Sequence, residues 1–227
     1  KNFMPKLYDS FLFFQELDLL ELRLNYLNDK VDYFIIVEAG QTFSGDRKPF
    51  NYEINIKRFE KFNHKIIYHK IEDFHSSYSS LKQFLKSHDD INYRNILSLL
   101  ESENNYPKDH LPWVLDSYHR NCIQIPYQKY LAKEDFVILS DLDEIPSLEY
   151  LDSSFLNTLK APAVMRQKEF MYFLNYYHED NWFGSIVSKY EFFINKSLNI
   201  IRADSKSDRL LVGKNELING GYHFTHA

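Results

Sequence analysis

The sequence is poor in the residues that cross-link or interrupt a chain. One of its 227 residues is cysteine, Cys122, which excludes an intrachain disulfide and argues against a cysteine-ligated zinc site. A single cysteine also fits a reducing compartment. Six glycines and seven prolines are too few for a disordered or linker-rich chain. We therefore expect one folded domain that spans residues 1–227 and has a sizeable core.

Basic excess and long apolar runs are also missing. The formal net charge of −5 argues against a general nucleic-acid-binding protein. No apolar run approaches the about 20 residues of a transmembrane helix, and residues 1–6 are too short for a secretory signal peptide. Aromatic residues are abundant instead, at 17% of the chain, which either a packed core or sugar-stacking surfaces would use.

The most informative stretch is an apolar run that ends in acids. Residues 136–139 are too short for a helix and rich in β-formers, so they predict a buried strand. Asp141, Asp143 and Glu144 follow, and Pro146 ends any strand ladder because it has no N–H to donate. The carboxylates are therefore expected at the carboxyl end of a strand, which is where ligands bind in open α/β sheets.

The spacing of two acids in this stretch indicates a cation site. In extended chain, Asp141 and Asp143 would lie on one face, and their charges would repel unless a cation lay between them. Carboxylate oxygens suit Mg²⁺ or Mn²⁺, which are commonly held by one or two carboxylates together with substrate phosphates. We interpret the pair as a metal site that binds a diphosphate; an acidic turn or a helix N-terminus is the alternative.

The first 71 residues alternate between strand and helix patterns, which predicts a mostly parallel sheet with right-handed crossovers. Asp18 is the predicted N-cap of the first helix. The edge that carries the strand ends should gather Glu16, Glu38 and the acidic cluster. The predicted strands are residues 7–14, 31–37 and 65–71, and the predicted helices are residues 19–27 and 50–62.

The remaining chain adds helices and then returning strands. Residues 76–113 are polar and predict a helical insertion, either over the active edge or as a solvated hairpin. Residues 113–130 predict a helix that Pro126 kinks or ends. Strands are expected at residues 163–177 and 186–194, with a turn at 182–185 between them. A short helix is predicted at residues 148–159.

Seven blocks of the sequence, in the same order along the chain, resemble family 17 glycosyltransferases. The chain departs from the family at Tyr222, where the family usually has Trp, and in the longer segment at 76–113. The blocks are YDSFLFFQELDLLELR (8–23), VDYFIIVE (31–38), TFSG with KP (42–45 and 48–49), KIIY (65–68), RN (120–121), SDLDEIP (140–146) and GGYHF (220–224).

This resemblance implies a GT-A fold, an αβα sandwich with a mostly parallel nucleotide-binding sheet and added antiparallel strands. It also implies transfer of a sugar, N-acetylglucosamine or a related hexose, from a UDP-sugar donor with inversion at the anomeric carbon. Animal members transfer N-acetylglucosamine to N-glycan cores. This chain looks more like a microbial relative that acts on a glycan or polysaccharide precursor. We expect it in the cytoplasm, alone or at a membrane, or in the Golgi lumen if it is a trimmed eukaryotic enzyme.

The resemblance also suggests the ligands of Mn²⁺ or Mg²⁺. Asp143 is expected to bind the metal directly. Asp141 is expected to contact the metal, through a bound water, or the ribose. His223 follows two glycines and is the expected third ligand, with a strand-end histidine as the alternative.

The nucleotide-sugar is expected to contact further residues around the acidic cluster. Glu38 could accept from the uracil N–H or a ribose hydroxyl, although a helix cap or a salt bridge would explain it equally well. Glu16 is a candidate nucleotide contact. Arg120 could pair with the donor phosphates or with the acidic cluster.

An inverting transfer needs a carboxylate that removes the proton of the acceptor hydroxyl. The sequence offers Glu169, Asp180 and Glu191 as candidates in the acceptor half, and Glu169 ranks first. Trp182 is the predicted exposed platform on which an acceptor sugar stacks.

Two other classes of protein remain open. A metal-dependent phosphoryl or nucleotidyl transferase would also use paired aspartates, but the sequence has no Gly-rich or Lys-bearing phosphate loop. A non-catalytic carbohydrate-binding module would explain the aromatic residues but not the buried strand that ends in acids.

Overall fold

The computed structural model describes residues 4–171, 177–205 and 215–225, without the side chains of 177–181 and 205. Within these ranges, no helix is long and apolar enough to cross a membrane. The strands are β1 Leu7–Phe13, β2 Tyr33–Ala39, β3 Ile66–Ile71, β4 Phe136–Leu139, β5 Glu144–Pro146, β6 Ala163–Met171, β7 Tyr177–Lys189, β8 Glu216–Leu217 and β9 Gly221–Thr225. The helices are α1 Leu17–Leu27, α2 Asn51–Ile54, α3 Tyr78–Ser87, α4 Ile91–Ser102, α5 Leu111–Asn121, α6 Gln124–Tyr130, α7 Ser153–Leu156 and α8 Leu198–Ser205.

All nine described strands join one sheet in the order β3-β2-β1-β4-β7-β6-β9-β5, and β8 pairs with β6. Strands β1, β2, β3 and β4 all run parallel to one another, whereas β7 runs antiparallel to both β4 and β6. Strand β9 is parallel to β6, and β5 returns antiparallel to β9. The predicted α/β class, with a mostly parallel sheet and added antiparallel strands, is confirmed.

The sheet has an apolar core on each face. Because successive side chains point to opposite faces, Val137 and Leu139 lie in one core and Phe136 and Ile138 in the other. Helices α3 to α6 and α8 cover the first face, and α1 with the segment 51–62 covers the second. The described chain is thus a three-layer αβα arrangement, which buries β4 on both sides.

Several helices differ from their predicted bounds. Helix α1 begins at Leu17 after Glu16, so Asp18 lies exposed in the first turn and is not the N-cap. The predicted helix at 113–130 divides into α5 and α6 around residues 122–123. The division has a local cause, because the ring of Pro126 would clash with the carbonyl of Cys122 four residues earlier. The segments 56–62 and 148–151 are 3-10 helices.

The predicted turn at residues 182–185 is wrong, because these residues lie inside β7. Gly184 occupies this strand because a Cβ there would come within 1.7 Å of the Gln167 side-chain oxygen on β6. The glycine therefore permits close packing and does not mark a turn. At the end of β7, Tyr190–Phe192 form a 3-10 turn where the sequence predicted strand.

The helices predicted within residues 76–113 are present. Helix α3 begins with a capping box in which the Ser77 and Ser80 side chains bond to each other's backbone N–H. Leu81 and Leu85 of α3 are buried in the same core as β2 and β4. Ile96 and Leu100 of α4 belong to the same core, so both helices contribute to it and the alternative of a solvated hairpin is wrong. That they form an insertion stays a prediction.

Gly221 fixes the pairing of β5 with β9. Its φ is +118°, and a Cβ would lie 2.0 Å from the carbonyl oxygen of Ile145. This pairing places His223 opposite Glu144, and the β6–β9 pairing places it beside Glu169. The glycine thus sets the position of His223 at the sheet edge.

We expect Gly221→Ala to lower the unfolding free energy by about 3 kcal/mol, since it combines a left-handed backbone with a backbone clash. Urea denaturation measures this loss. Gly40→Ala is the matched control, because its nearest neighbour is the movable Phe50 ring at 3.1 Å, and it should cost less than about 1 kcal/mol. Equal losses in the two variants would contradict this account of Gly221.

Candidate functional site

A cleft of about 840 Å³ lies at the carboxyl edge of the sheet. Residues at the ends of β1, β2, β4 and β9 contribute to it, together with one face of α5 and part of β7. The polar side chains that line it are Glu16, Gln41, Thr42, Ser44, Lys48, Asp116, His119, Arg120, Asp141, Asp143, His223 and Thr225. The structure therefore brings Glu16, Asp141 and Asp143 to one edge, as the strand–helix alternation predicted, whereas Glu38 does not line the cleft.

The two aspartates lie in a turn and not in extended chain. The Glu144 N–H donates to the carbonyl of Asp141 at 3.1 Å, and the Asp141 N–H donates to Glu144 Oε2 at 2.9 Å. Leu142 between them is buried. The side chains of Asp141 and Asp143 are 29% and 31% exposed, and both line the cleft. The prediction of one shared strand face is wrong, although both carboxylates reach the same cleft.

Asp141 is paired with two buried arginines. Its Oδ1 lies 2.5 Å from Arg120 Nη1, and its Oδ2 lies 3.1 Å from Arg202 Nη2. Arg202 also pairs with Glu144, and Arg120 pairs with Asp116 at 3.0 Å. Burial alone would lower the pKa of Arg120, but Asp141 and Asp116 outweigh it and the pKa is raised. Arg120 therefore stays charged. It pairs with the acidic cluster, which is one of the two roles that the sequence analysis left open.

Asp143 has a different neighbour. Its Oδ2 lies 3.3 Å from His223 Nε2, and the other ring nitrogen of His223 lies 3.4 Å from Glu169 Oε1. The Trp182 ring stacks on His223 with centroids 4.4 Å apart, and its N–H donates to Glu144 Oε1 at 2.7 Å. His223 is therefore held in a fixed orientation at the wall of the cleft.

Two side chains in the cleft could hold a metal ion. Asp143 supplies carboxylate oxygens and His223 an imidazole nitrogen, a donor set that fits Mn²⁺ when phosphates and water complete the sphere. Over the described ranges, no three His, Cys, Asp or Glu side chains are grouped to hold a metal by themselves. Of the predicted set, Asp143 and His223 are adjacent, whereas both oxygens of Asp141 face arginines.

The structure places Trp182 and Glu38 differently from the expected turn and ligand-facing strand end, and the acceptor-binding role of Trp182 stays a prediction. Trp182 lines the cleft from within a strand and packs against His223, so it is not a platform in an exposed turn. Glu38 is fully buried and accepts hydrogen bonds from Lys48, Tyr68 and the backbone N–H groups of residues 51 and 52. It therefore caps α2 and forms a salt bridge beneath the cleft wall, which is the structural alternative.

The three candidate bases lie in different places. Glu169 contacts His223 and Thr225 and does not itself line the cleft as described. Asp180 lies on β7, and its side chain is outside the described residues. Glu191 is exposed in the 3-10 turn after β7. Because β7 is antiparallel to β4 and Lys189 pairs with Phe136, Glu191 lies at the opposite edge of the sheet from the cleft.

Sequence reasoning missed two residues of this site. Arg202 comes from α8, a segment whose distance along the chain gave no sign of contact with Asp141. His119 lines the cleft beside Phe43, with ring centroids 5.6 Å apart. The helical spacing of positions 116, 119 and 120 places them on one face of α5, and this signal could have identified His119.

His119 is neutral in the folded protein. Burial lowers its pKa from 6.5 to about 3, the charges of His75 and Lys48 act in the same direction, and Asp73 opposes them. The ring is 4% exposed. It therefore presents an uncharged imidazole to the cleft across the whole physiological pH range.

We expect His119 to contribute to acid destabilisation. The unfolded chain binds a proton at His119 below about pH 6.5, whereas the folded protein does so only near pH 3, so stability falls as the pH drops through 6.5. His119→Asn removes this titration. The difference in unfolding free energy between wild type and variant should change by about 1.4 kcal/mol per pH unit below about pH 6.

Urea denaturation at several pH values measures this difference. His64→Asn is the control for the loss of a histidine, because His64 is exposed and does not line the cleft. Parallel pH curves for wild type and His119→Asn would show that His119 titrates alike in the folded and unfolded states.

The family model for glycosyltransferase family 17 matches residues 1–79. This stretch contains β1 to β3 and the cleft residues Glu16, Gln41 and Phe43, and it ends at the start of α3. No curated protein matches the chain. The match supports the family that the sequence blocks indicated, and with it a transferase that acts on sugars. The acidic turn and His223 lie outside the matched residues.

Proposed function

We propose that this protein is a metal-dependent, inverting glycosyltransferase of the family 17 type, which moves a sugar from a UDP-sugar to a glycan or polysaccharide acceptor. The observation that carries the proposal is the Asp143–His223 pair at the carboxyl edge of the sheet, in a cleft that Phe43, Trp113 and His119 also line. The family match over residues 1–79 supports the reaction class. The donor, the metal and the inversion are our inference.

The rings of Phe43, Trp113 and His119 that line the cleft suit a nucleobase. Phe43 and Trp113 offer ring faces, and the neutral imidazole of His119 can donate or accept one hydrogen bond at a base edge. Gln41 is less suited, because its amide already donates to the His75 carbonyl at 2.7 Å and accepts from the His75 N–H at 3.0 Å. We therefore assign the base to the Phe43 and His119 side of the cleft.

The acidic end suits a diphosphate. Asp143 and His223 would hold Mn²⁺ or Mg²⁺, which when bound neutralises charge on the departing diphosphate. Arg120 lines the cleft as a permanently charged donor, and its buried Nε has no hydrogen-bond partner in the described structure. The positive charge of Arg120 would attract the phosphates of the donor. Asp141 orients Arg120, because its Oδ1 accepts a hydrogen bond from Arg120 Nη1.

The acceptor is expected on the β6, β7 and β9 side of the cleft. The base that removes the acceptor proton stays a prediction: Glu169 contacts His223, and Asp180 precedes Trp182 on β7. The position of Glu191 at the opposite edge removes it from this role. A carboxylate must lie within hydrogen-bond reach of the acceptor hydroxyl to serve as the base.

The test of this function compares wild type with Asp143→Asn, each with UDP and UDP-sugars, in the presence and absence of Mn²⁺. A ligand at 100 times its Kd should add about 2.7 kcal/mol to the wild-type unfolding free energy, which thermal denaturation detects. We expect this gain only with metal. Release of UDP from the best sugar donor should fall about 100-fold or more in Asp143→Asn.

Asp152→Asn is the matched control, because Asp152 is a surface carboxylate paired with Lys30. It should bind and turn over like wild type. Absence of any nucleotide effect on wild type under all metals would reject the donor site and favour a carbohydrate-binding module. Metal-dependent phosphate release without sugar transfer would favour a phosphoryl transferase.

A further inference from the structure

Arg23 of α1 lies fully buried beneath the acidic turn. Its Nε donates to Asp9 Oδ2 at 2.8 Å and its Nη2 to Asp9 Oδ1 at 2.7 Å, so the two side chains form a bidentate pair. Both side chains are 0% exposed. Asp9 lies on β1, directly beside β4 in the sheet. The pair therefore connects α1 to the central strands.

The third nitrogen of Arg23 points to the acidic turn. Its Nη1 lies within hydrogen-bond distance of three backbone carbonyls: those of Asp141 at 3.1 Å, Leu142 at 3.0 Å and Glu144 at 2.7 Å. The remaining carbonyl of the turn, that of Asp143, accepts from the Phe224 N–H at 3.0 Å. Each carbonyl from residue 141 to residue 144 thus has a donor.

Arginine fits this position for a geometric reason. A planar guanidinium can satisfy a carboxylate with one edge and direct its third nitrogen elsewhere, which a lysine ammonium cannot do in a fixed geometry. The group also lies 4.8 Å from the centre of the Phe11 ring, which supports its face. Asp9 fixes the guanidinium, and the guanidinium fixes the backbone that carries Asp141 and Asp143.

We propose that Arg23 is a positioning residue for the metal and nucleotide-sugar site: it holds the acidic turn so that the Asp143 carboxylate meets His223 and the cleft. The inference rests on the proposed glycosyltransferase function. Arg23 does not line the cleft and acts only through the turn. Its removal should therefore change how Asp143 binds a cation and not only how stable the protein is.

The experiment measures Mn²⁺ binding in the presence of UDP, by calorimetric titration of wild type and Arg23→Lys. The temperature is chosen so that circular dichroism shows both proteins folded. Lysine keeps a cation beside Asp9 but loses the fixed fork. We expect Mn²⁺ affinity to fall at least about 10-fold, as for other groups that orient metal ligands. The Mn²⁺ concentration that gives half-maximal UDP-sugar turnover should rise by the same factor.

Leu27→Ala is the matched control. Leu27 is a fully buried residue on the same helix, and its apolar side chain donates no hydrogen bond to the turn, so its truncation lowers stability and leaves the hydrogen bonds of Arg23 in place. It should keep the wild-type Mn²⁺ affinity. If Arg23→Lys lowers the melting temperature but binds Mn²⁺ as wild type does, Arg23 has only a structural role and the proposal is rejected.

If Arg23→Lys does not fold, a second variant tests the same proposal. The double variant Asp9→Asn with Arg23→Gln replaces the ion pair by two neutral amides, so no unpaired charge stays buried. It should show the same loss of Mn²⁺ affinity, and wild-type affinity would reject the proposal. A wild type that binds no UDP with Mn²⁺ rejects the proposed function itself, whereas wild-type binding with unchanged variants rejects only the role of Arg23.

Discussion

Negative charge at the carboxyl end of β4 is the constraint on which this site depends. Asp141, Asp143 and Glu144 lie within four residues, and Glu144 is fully buried. Carboxylates so close together raise each other's free energy unless cations or hydrogen-bond donors compensate them. Two buried guanidiniums, those of Arg120 and Arg202, pair with these carboxylates, and a third, that of Arg23, donates to backbone carbonyls of the turn. Helices α1, α5 and α8, which carry them, are thereby fixed around one turn.

The negative charges of the two aspartates are compensated to different extents, which distinguishes Asp141 from Asp143. Asp141 has an arginine on each oxygen, so its charge is largely balanced within the protein. Asp143 faces the cleft with His223 at 3.3 Å. A divalent cation with a diphosphate would complete the neutralisation on that side. We infer that Asp141 organises the arginines, whereas Asp143 is the carboxylate that meets the ligand.

Local patterns predicted the parallel half of the fold well. The apolar run at 136–139 and the acids after it are adjacent in sequence, so short-range signals contain both the strand and its functional end. Patterns failed where a distant contact decides. Gly184 looks like a turn residue, but the Gln167 side chain from the next strand requires it. Glu38 looks like a ligand-facing acid at a strand end, but it is buried under Lys48 and α2.

The sequence by itself determined the strand–helix alternation, the placement of Asp141 and Asp143 at a strand end, and their meeting with Glu16 at one sheet edge. These follow from hydrophobic periodicity and from the right-handed connection of parallel strands, which act over short stretches of chain. Only the tertiary structure decided which acids are compensated. The pairs Arg202–Asp141, Arg23–Asp9 and Asp143–His223 join residues that are 61, 14 and 80 positions apart. Charge compensation depends on distance in space. The packing of α1 and α8 on the sheet and the pairing of β9 within it set that distance.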